Sequence, residues 1–380
     1  MKKIVYLDNG ATTKVLDEAK EACVNYMQEN FFNPSALYEN AIKVARDIKS
    51  AREKIANILG VEESTIVFTS SGTESDNQAL FCSRKKPASR IIISASEHSA
   101  VYNSAMELKQ RGFDVVLCKV DVNGKVVEED FARLLTKDVS LVSIMHVNNV
   151  TGAVNDIKKL VEMTKEVCPN ALFHSDGVQA FCKIPTKLKS LGVDLYSASS
   201  HKIGGVKGSG FLYVKKGLNI SPLLFGGGQE RGLRSSTENV PAIMSFAKAA
   251  ELAFKKMPEL KEKGNMFFDE LKLRLQAEIK DLMFLTPENH APHIFALTFK
   301  DVRGETLMHT LEDSGFILGI GSACSSKKGT ARIPESLGLN GGFEQGMIRI
   351  SINPYEDYDA EALAGAIVEN YKILRKYTRV

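Results

Sequence analysis

A lysine, an aspartate, a histidine and a cysteine stand in this chain where each could do chemistry. Lys202 closes the polar run Ser199-Ser200-His201-Lys202, between an apparent strand at Leu195–Ser199 and a glycine-rich stretch from Ile203 to Gly210. An amine held away from water loses its proton more readily and becomes a nucleophile. That is how lysine forms a Schiff base with a carbonyl or with pyridoxal phosphate. A solvated lysine before a turn is the plainer reading, and the company Lys202 keeps argues against it. Asp176 follows the apolar run Ala171–Ser175. A carboxylate there is costly unless paired, and a pyridinium N–H is one such partner. His98 follows another apolar run, Arg90–Ser94, where a capping or core histidine is the commoner case. Cys324 sits among small polar residues, Gly319 to Thr330, with Lys327 and Lys328 close by. Nearby cations favour the thiolate, whereas a structural cysteine has bulkier apolar neighbours.

Further polar groups gather at segment ends. The strand-like Thr65–Thr69 opens into Ser70-Ser71-Gly72-Thr73-Glu74-Ser75-Asp76-Asn77 and then a helical run. Small and hydroxyl residues at a helix N-terminus suit a phosphate, or plain N-capping. Asn149, in the stretch after Leu141–Val147, serves either a turn or a ligand oxygen. The loop Gly226–Asn239 carries Arg231 and Arg234 and suits anion contacts better than it suits a linker. Arg349 stands among apolar residues in Met347–Ile352. Turned inward it wants a carboxylate partner; turned outward it is an ordinary surface charge.

These groups need elements to position them. Apolar spacing predicts helices over Asp17–Asn30, Glu39–Leu59 (with Gly60 as the C-terminal cap), Val240–Phe254, Glu259–Ile279 and Gly304–Ser314. Short apolar runs at Tyr6–Asp8, Val115–Val120, Gly210–Val214 and His293–Phe299 read as strands. Strands alternating with helices, with polar residues at the strand ends, indicate an α/β fold with a mainly parallel sheet and a site at its C-terminal edge. Pro258 marks an expected boundary: a large domain over 14–258, and a smaller α+β domain from 1–13 and 259–380.

The totals agree with a soluble chain. It has 380 residues, 44% hydrophobic and 25% charged, with net charge +3. That charge is too small to argue for direct nucleic-acid or membrane binding, and no apolar run approaches the ~20 residues that span a bilayer. Lys2 and Lys3 are followed by Asp8 before any long apolar region, so the start does not read as a signal peptide. Six cysteines without CxxC spacing read as reduced thiols of a cytoplasmic protein, with Cys118, Cys168 and Cys182 as packing residues and no metal site.

The constellation of Ser71–Asn77, Glu97-His98, His146–Asn149, Asp176–Gln179, Ser199–Lys202, Gly226–Asn239 and Gly321–Ser326, in this order, resembles the PLP-dependent cysteine desulfurases of the NifS/IscS kind, in the class V aminotransferase group of fold type I. The resemblance covers nearly the whole chain. It implies pyridoxal 5'-phosphate held by Lys202, which also shuttles protons. It implies Asp176 against the pyridine nitrogen, Gln179 and Asn149 against the ring's phenolic oxygen, and His98 stacked on the ring. Gly72, Thr73, Ser199 and His201 would cradle the phosphate, and Thr237 would reach the phosphate of a second subunit, which implies a homodimer. Arg349 would clamp the substrate carboxylate. Cys324 would take sulfur from L-cysteine as a persulfide, leaving L-alanine. A loop of the longer kind, from Ser322 to about Arg332, would carry that sulfur to an acceptor protein, an iron–sulfur cluster scaffold or a tRNA thiolation enzyme.

The sequence departs from the family pattern in places. Ser71 and Ser236 stand where glycine is usual, and serine is strained if either position needs positive φ. Tyr38 replaces a usual histidine, and Asn148–Gly152 lacks a usual Glu-Ile pair. No catalytic group is lost, and the changes fit a divergent paralogue serving a particular acceptor. The alternatives are a selenocysteine lyase or other PLP enzyme of class V, which can dispense with Cys324, and a non-catalytic scaffold, which would have no use for Lys202, Asp176, His98 and Cys324 together. A glycine-loop NTPase is disfavoured because GxxxxGK[ST] is absent.

Overall fold

The computed structural model describes residues 4–83, 88–321 and 332–377. The chain begins with strand β1 (Val5–Leu7) and helices α1 (Asp17–Gln28) and α2 (Glu39–Leu59). Helix α2 forms because Val44, Ile48, Ala51, Ile55 and Leu59 recur on one face, which is buried. It ends where Gly60 adopts φ +70°, a left-handed cap with no Cβ to clash. There follow β2 (Ile66–Thr69), α3 (Gly72–Cys82), β3 (Arg90–Ser94), α4 (Ser99–Gln110), β4 (Asp114–Cys118), β5 (Val139–Ser143), β6 (Leu172–Asp176), β7 (Leu195–Ser199) and β8 (Gly210–Val214).

Strands β2 to β8 form one seven-stranded sheet in the order β2-β8-β7-β6-β5-β3-β4. Strand β8 pairs antiparallel with both neighbours, and the remaining pairs are parallel. Six strands therefore deliver their C-terminal ends to one edge. Strands β2, β7 and β8 are buried along their whole length, and β3, β5 and β6 at all but one residue, as expected for a largely parallel sheet covered on both faces.

A second, antiparallel sheet has the order β12-β10-β9, from β9 (Leu282–Phe284), β10 (Ile294–Phe299) and β12 (Met347–Ser351). Strand β1 pairs in parallel with β11 (Phe316–Leu318). Single bridges Asp8–Ser351 and Gly319–Arg349 fasten that pair beside β12. The N-terminal turn and Arg349 are thus brought together.

Between the sheets runs one continuous helix, Val240–Glu278, with Pro258 inside it. The sequence pattern had two helices broken at Pro258. A proline removes one helical hydrogen bond and crowds the preceding turn, which by itself costs about 3 kcal/mol. Here both halves are held by burial. Ala249, Ala250 and Ala253 pack on the large-sheet core, while Leu260, Phe267, Phe268 and Leu271 pack on the core of the small sheet. The helix changes partners at the proline without breaking. The C-terminal helix Ala360–Arg375 and strand β9, neither read from the sequence, complete the second core.

Candidate active site

A cavity of about 810 Å3 opens at the C-terminal edge of the large sheet, roofed by Gly10 and Ala11 after β1, and by Ile320, Gly321 and Arg349. Its floor is made of strand ends, the region where an α/β sheet presents unpaired backbone and side chains.

Lys202 ends a short 3-10 turn directly after β7. Its Nζ donates to the carbonyl oxygens of Gly10 and Ala11, both at 2.7 Å. Burial, helped by the Arg349 guanidinium, brings its pKa down to about 8, against the opposing pull of Asp176 and Asp8. At neutral pH roughly a tenth of the amine is then unprotonated.

Asp176 is the last residue of β6 and accepts from the Val178 N–H at 2.9 Å. Burial raises its pKa, while His98 and Lys202 hold it down. His98 is the N-cap of α4: its Nδ1 accepts from the Ala100 N–H at 3.2 Å, and its ring stands in the cavity. Desolvation there lowers its pKa, and a neutral ring with a bare Nδ1 is what the cap requires.

The N-terminus of α3 forms one wall. Ser71 caps it, its Oγ accepting from the Glu74 N–H at 3.1 Å. With φ −173°, Ser71 is simply extended, so serine carries no strain there. Gly72 needs to be glycine for another reason: a Cβ would meet Val178 Cγ2 at 2.6 Å. Thr73 and Ser199 also line the cavity, and the buried Ser199 Oγ has no hydrogen-bond partner. His201 Nδ1 lies 3.1 Å from Thr12 Oγ1, and burial lowers its pKa to about 4, so it is neutral.

Asn149 and Gln179 line the opposite side. The buried Asn149 Oδ1 has no partner, while its carbonyl accepts from Arg349 Nη1 at 2.8 Å. The Gln179 amide nitrogen donates to Gly10 O at 2.8 Å, which fixes its Oε1 toward His293 Nε2 (3.2 Å) and Lys183 Nζ (3.4 Å). Arg349 faces inward and finds the carboxylate the sequence demanded: Nη2 donates to Asp8 Oδ1 at 2.5 Å.

Thus Gly72, Thr73, His98, Asn149, Asp176, Gln179, Ser199, His201, Lys202 and Arg349 share one cavity. Thr237 does not line it; it lies exposed in the loop between β8 and the long helix. Cys324 lies outside the described residues, while Gly321 and Arg332 both line the cavity.

Sequence reasoning missed several members. Arg332 donates to the carbonyls of Ala95 (2.8 Å) and Glu97 (2.6 Å) and lies over the Tyr102 ring, so it ties the cavity wall around His98. Asp8 and Gly10 had read only as a turn. Asp76 and Glu97 had been noted without a role. Glu97 is fully buried and accepts from Ser94 Oγ and the Met145 N–H, and burial pushes its pKa up to about 8. A buried acid beside a histidine was the available signal for Glu97; no local signal marked Arg332.

The family model described as Aminotransferase class-V matches residues 5–361. A protein named cysteine desulfurase IscS from Clostridium botulinum is 37% identical over 369 residues, covering 94% of this chain and 92% of its own length. One of the same name from Methanosarcina thermophila is 39% identical over 373 residues, covering 94% and 90%. A solved structure titled NifS-like protein superposes with a TM-score of 0.88 at 34% identity, covering 98% of this chain and all of that one.

Proposed function

The chain belongs to the aminotransferase class-V family, in its cysteine desulfurase branch, and we propose that it converts L-cysteine to L-alanine with PLP and passes the sulfur on as a persulfide. The observation that carries this reading is the placement of buried Asp176 at the end of β6 and half-buried Lys202 in the turn after the adjacent strand β7, both facing one cavity.

The residues present fit PLP. The unpartnered Ser199 Oγ, the glycine at position 72 and the N-terminus of α3 make a cradle suited to phosphate. The unpartnered Asn149 Oδ1 faces the same cavity and suits a hydroxyl. Asp176 is an acid available to a ring N–H, and Lys202 is an amine of depressed pKa. When bound, PLP supplies an electron sink for the bonds at the substrate's Cα.

The chain's own residues do the rest. Arg349, held by Asp8 and the Asn149 carbonyl, presents its guanidinium to the substrate carboxylate. Lys202, with a pKa near 8, takes the Cα proton and returns it as general base and acid. Asp176 would face the ring nitrogen as its acid partner and His98 would lie against the ring, while Gly72, Thr73, Ser199 and His201 would hold the phosphate. Cys324 as thiolate attacks the substrate sulfur and breaks its bond to Cβ; the new S–S bond makes the persulfide, the C–S bonding pair passes to the carbon fragment, and Cβ takes up a proton before that fragment is released as alanine.

A homodimer belongs to this reading. Leu37 and Phe225 are 92% and 83% exposed, an apolar cost that a second copy removes. Thr237, outside its own cavity, would serve the partner's. The division into a large domain over 14–258 and a small one over the remainder follows the change of apolar partners along the long helix. No helix among the described residues is long and apolar enough to cross a membrane. A cytoplasmic place, where Cys324 stays reduced, suits a protein-borne persulfide passed to an iron–sulfur scaffold or a tRNA thiolation enzyme.

The test is to incubate the chain with PLP and L-cysteine without reductant, assay alanine and take intact masses. Alanine with one added sulfur that Cys324→Ala abolishes is expected. Alanine without added mass indicates a lyase that releases sulfide and overturns the persulfide step. Neither product, despite bound PLP, overturns the substrate assignment.

A further inference from the structure

Asp76 is 1% exposed, on α3 at the back of the cavity. Its carboxylate has no lysine or arginine within ion-pair distance among the described residues, and its Oδ1 has no hydrogen-bond partner. The charged and titratable groups facing it come from three elements. Strand β6 contributes Asp176 and His174, and the turn before α4 contributes Glu97 and His98. Strand β7 brings the Ser197 hydroxyl close to the carboxylate. His174 Nε2 is 3.5 Å from Asp76 Oδ1 without a hydrogen bond between them. That nitrogen is instead 2.9 Å from Ser197 Oγ, while Nδ1 is 2.8 Å from Ser143 Oγ. With burial taking its pKa to about 3, His174 is neutral and offers Asp76 no charge.

Oxygens of Asp76 and Asp176 lie within 4.8 Å of each other, with a His98 nitrogen in the same radius. Two carboxylates that close in a buried site oppose each other's ionisation, so that one pKa is driven up. The two are not equivalent. Asp176 has the Val178 N–H and the attraction of Lys202 and His98; Asp76 has a serine hydroxyl and two acidic neighbours.

We infer that Asp76 is held as a neutral carboxylic acid and keeps the proton of the pair, so that Asp176 alone carries the negative charge. Asp76 is a positioning residue: it acts through Asp176, as a neutral hydrogen-bonding wall that spares Asp176 a second like charge. The consequence for the cofactor's ring nitrogen rests on the functional reading above; the protonation of Asp76 rests on its burial, its unpartnered Oδ1 and the nearness of Asp176.

The experiment uses the full chain, freed of cofactor, and records infrared difference spectra of wild type against Asp76→Asn at pH 7. The expected difference is the C=O stretch of one protonated carboxylic acid, lost in the variant. Carboxylate bands in its place overturn the proposal. In parallel, chemical unfolding is followed between pH 4 and 8. A carboxyl whose folded pKa is raised stabilises fully below its unfolded pKa, and that contribution is lost as pH rises toward the folded value. Asp76→Asn should therefore gain on wild type as pH rises, by up to about tenfold in the unfolding constant per pH unit. A pH-independent difference overturns the proposal. If Asp76→Asn does not fold, Asp176→Asn decides. Glu97, also protonated at pH 7, cancels in the difference between wild type and that variant. A difference made only of lost carboxylate bands supports Asp76 as the holder, and a lost acid band places the proton on Asp176 and overturns the inference. An inactive enzyme that passes these tests would overturn the desulfurase reading and leave the proton assignment standing.

Discussion

Arg349 on β12 donates to Asp8 at 2.5 Å, joining residues 341 positions apart in the sequence. Its other nitrogen, Nη1, reaches the Asn149 carbonyl, so the guanidinium is braced from two sides while its Nε remains buried without a partner. Asp8 also lies in parallel bridge contact with Ser351, which fixes the turn carrying Gly10 and Ala11 over Lys202. One ion pair thus aligns the Arg349 guanidinium and the roof above the lysine.

Replacement of Arg349 by Gln should raise KM for L-cysteine by about 10- to 100-fold, the equivalent of one or two hydrogen bonds to a charged group. It should also raise the pKa of Lys202, because Arg349 is one of the groups depressing it. Steady-state kinetics and a pH titration of the free lysine check both; an unchanged KM would remove Arg349 from substrate binding.

Lys202 links stability to pH in a defined sense. Its folded pKa is about 8 against 10.5 for an ordinary lysine, so between these values the unfolded chain binds more protons and stability rises with pH. The contribution is complete above about 10.5 and lost as pH falls through about 8. Lys202→Met, in the cofactor-free chain, should lessen this slope, leaving the part that belongs to the buried Lys183, and remove a difference on the order of 3 kcal/mol. Urea unfolding of both proteins across pH 7 to 11 measures it, and an unchanged slope would refute the assignment. The variant should also fail to show the visible absorbance of lysine-bound PLP.

A buried ion pair outside the cavity lining ties α2 to the loop after β8. Arg52 donates to both Glu230 oxygens at 2.6 and 2.7 Å and to Ile66 O, while Glu230 also accepts from the Phe68 N–H. Removing one partner leaves an uncompensated charge in the interior. Arg52→Met should therefore destabilise by about 3–5 kcal/mol, and a second change, Glu230→Leu, should recover much of the loss. The urea midpoints of the three proteins test this.

Ser236 adopts φ +118°, a conformation that favours glycine, in the loop that carries Thr237. Its N–H donates to Gln229 Oε1 at 3.0 Å, an interaction that needs no side chain. Ser236→Gly should stabilise the protein by about 1 kcal/mol, read as a higher melting temperature, because relief of backbone strain exceeds the entropic cost of glycine. A lower melting temperature would mean that the serine hydroxyl matters.

Much of this was legible along the chain. The alternation of apolar runs and amphipathic stretches marked the strands of the large sheet to within a few residues, and helix α2 to its ends, because Ile48, Ile55 and Ile58 recur at helical spacing and Gly60 supplies the cap; Ile42 and Ala45, read on the same face, are exposed, and Val44 is buried in their place. The two serine-for-glycine departures look alike in sequence. Backbone geometry separates them: Ser71 is extended and Ser236 is strained. Pro258 misled because the local penalty of a proline is readable in sequence, while the burial on both sides that overrides it is not.

By itself the sequence determined which chemical groups stand at strand ends, and hence Lys202, Asp176 and His98 as candidates, because strand ends and helix starts are set by neighbours a few residues apart. Only the tertiary structure decided that Asp8 braces Arg349, that Gly10 and Ala11 receive the Lys202 amine, that Arg332 ties the His98 wall, and that Asp76 meets Asp176. Those contacts depend on the order of strands in the sheet and on the lodging of the small sheet against its edge. Both are settled by burial of apolar surface across the whole molecule.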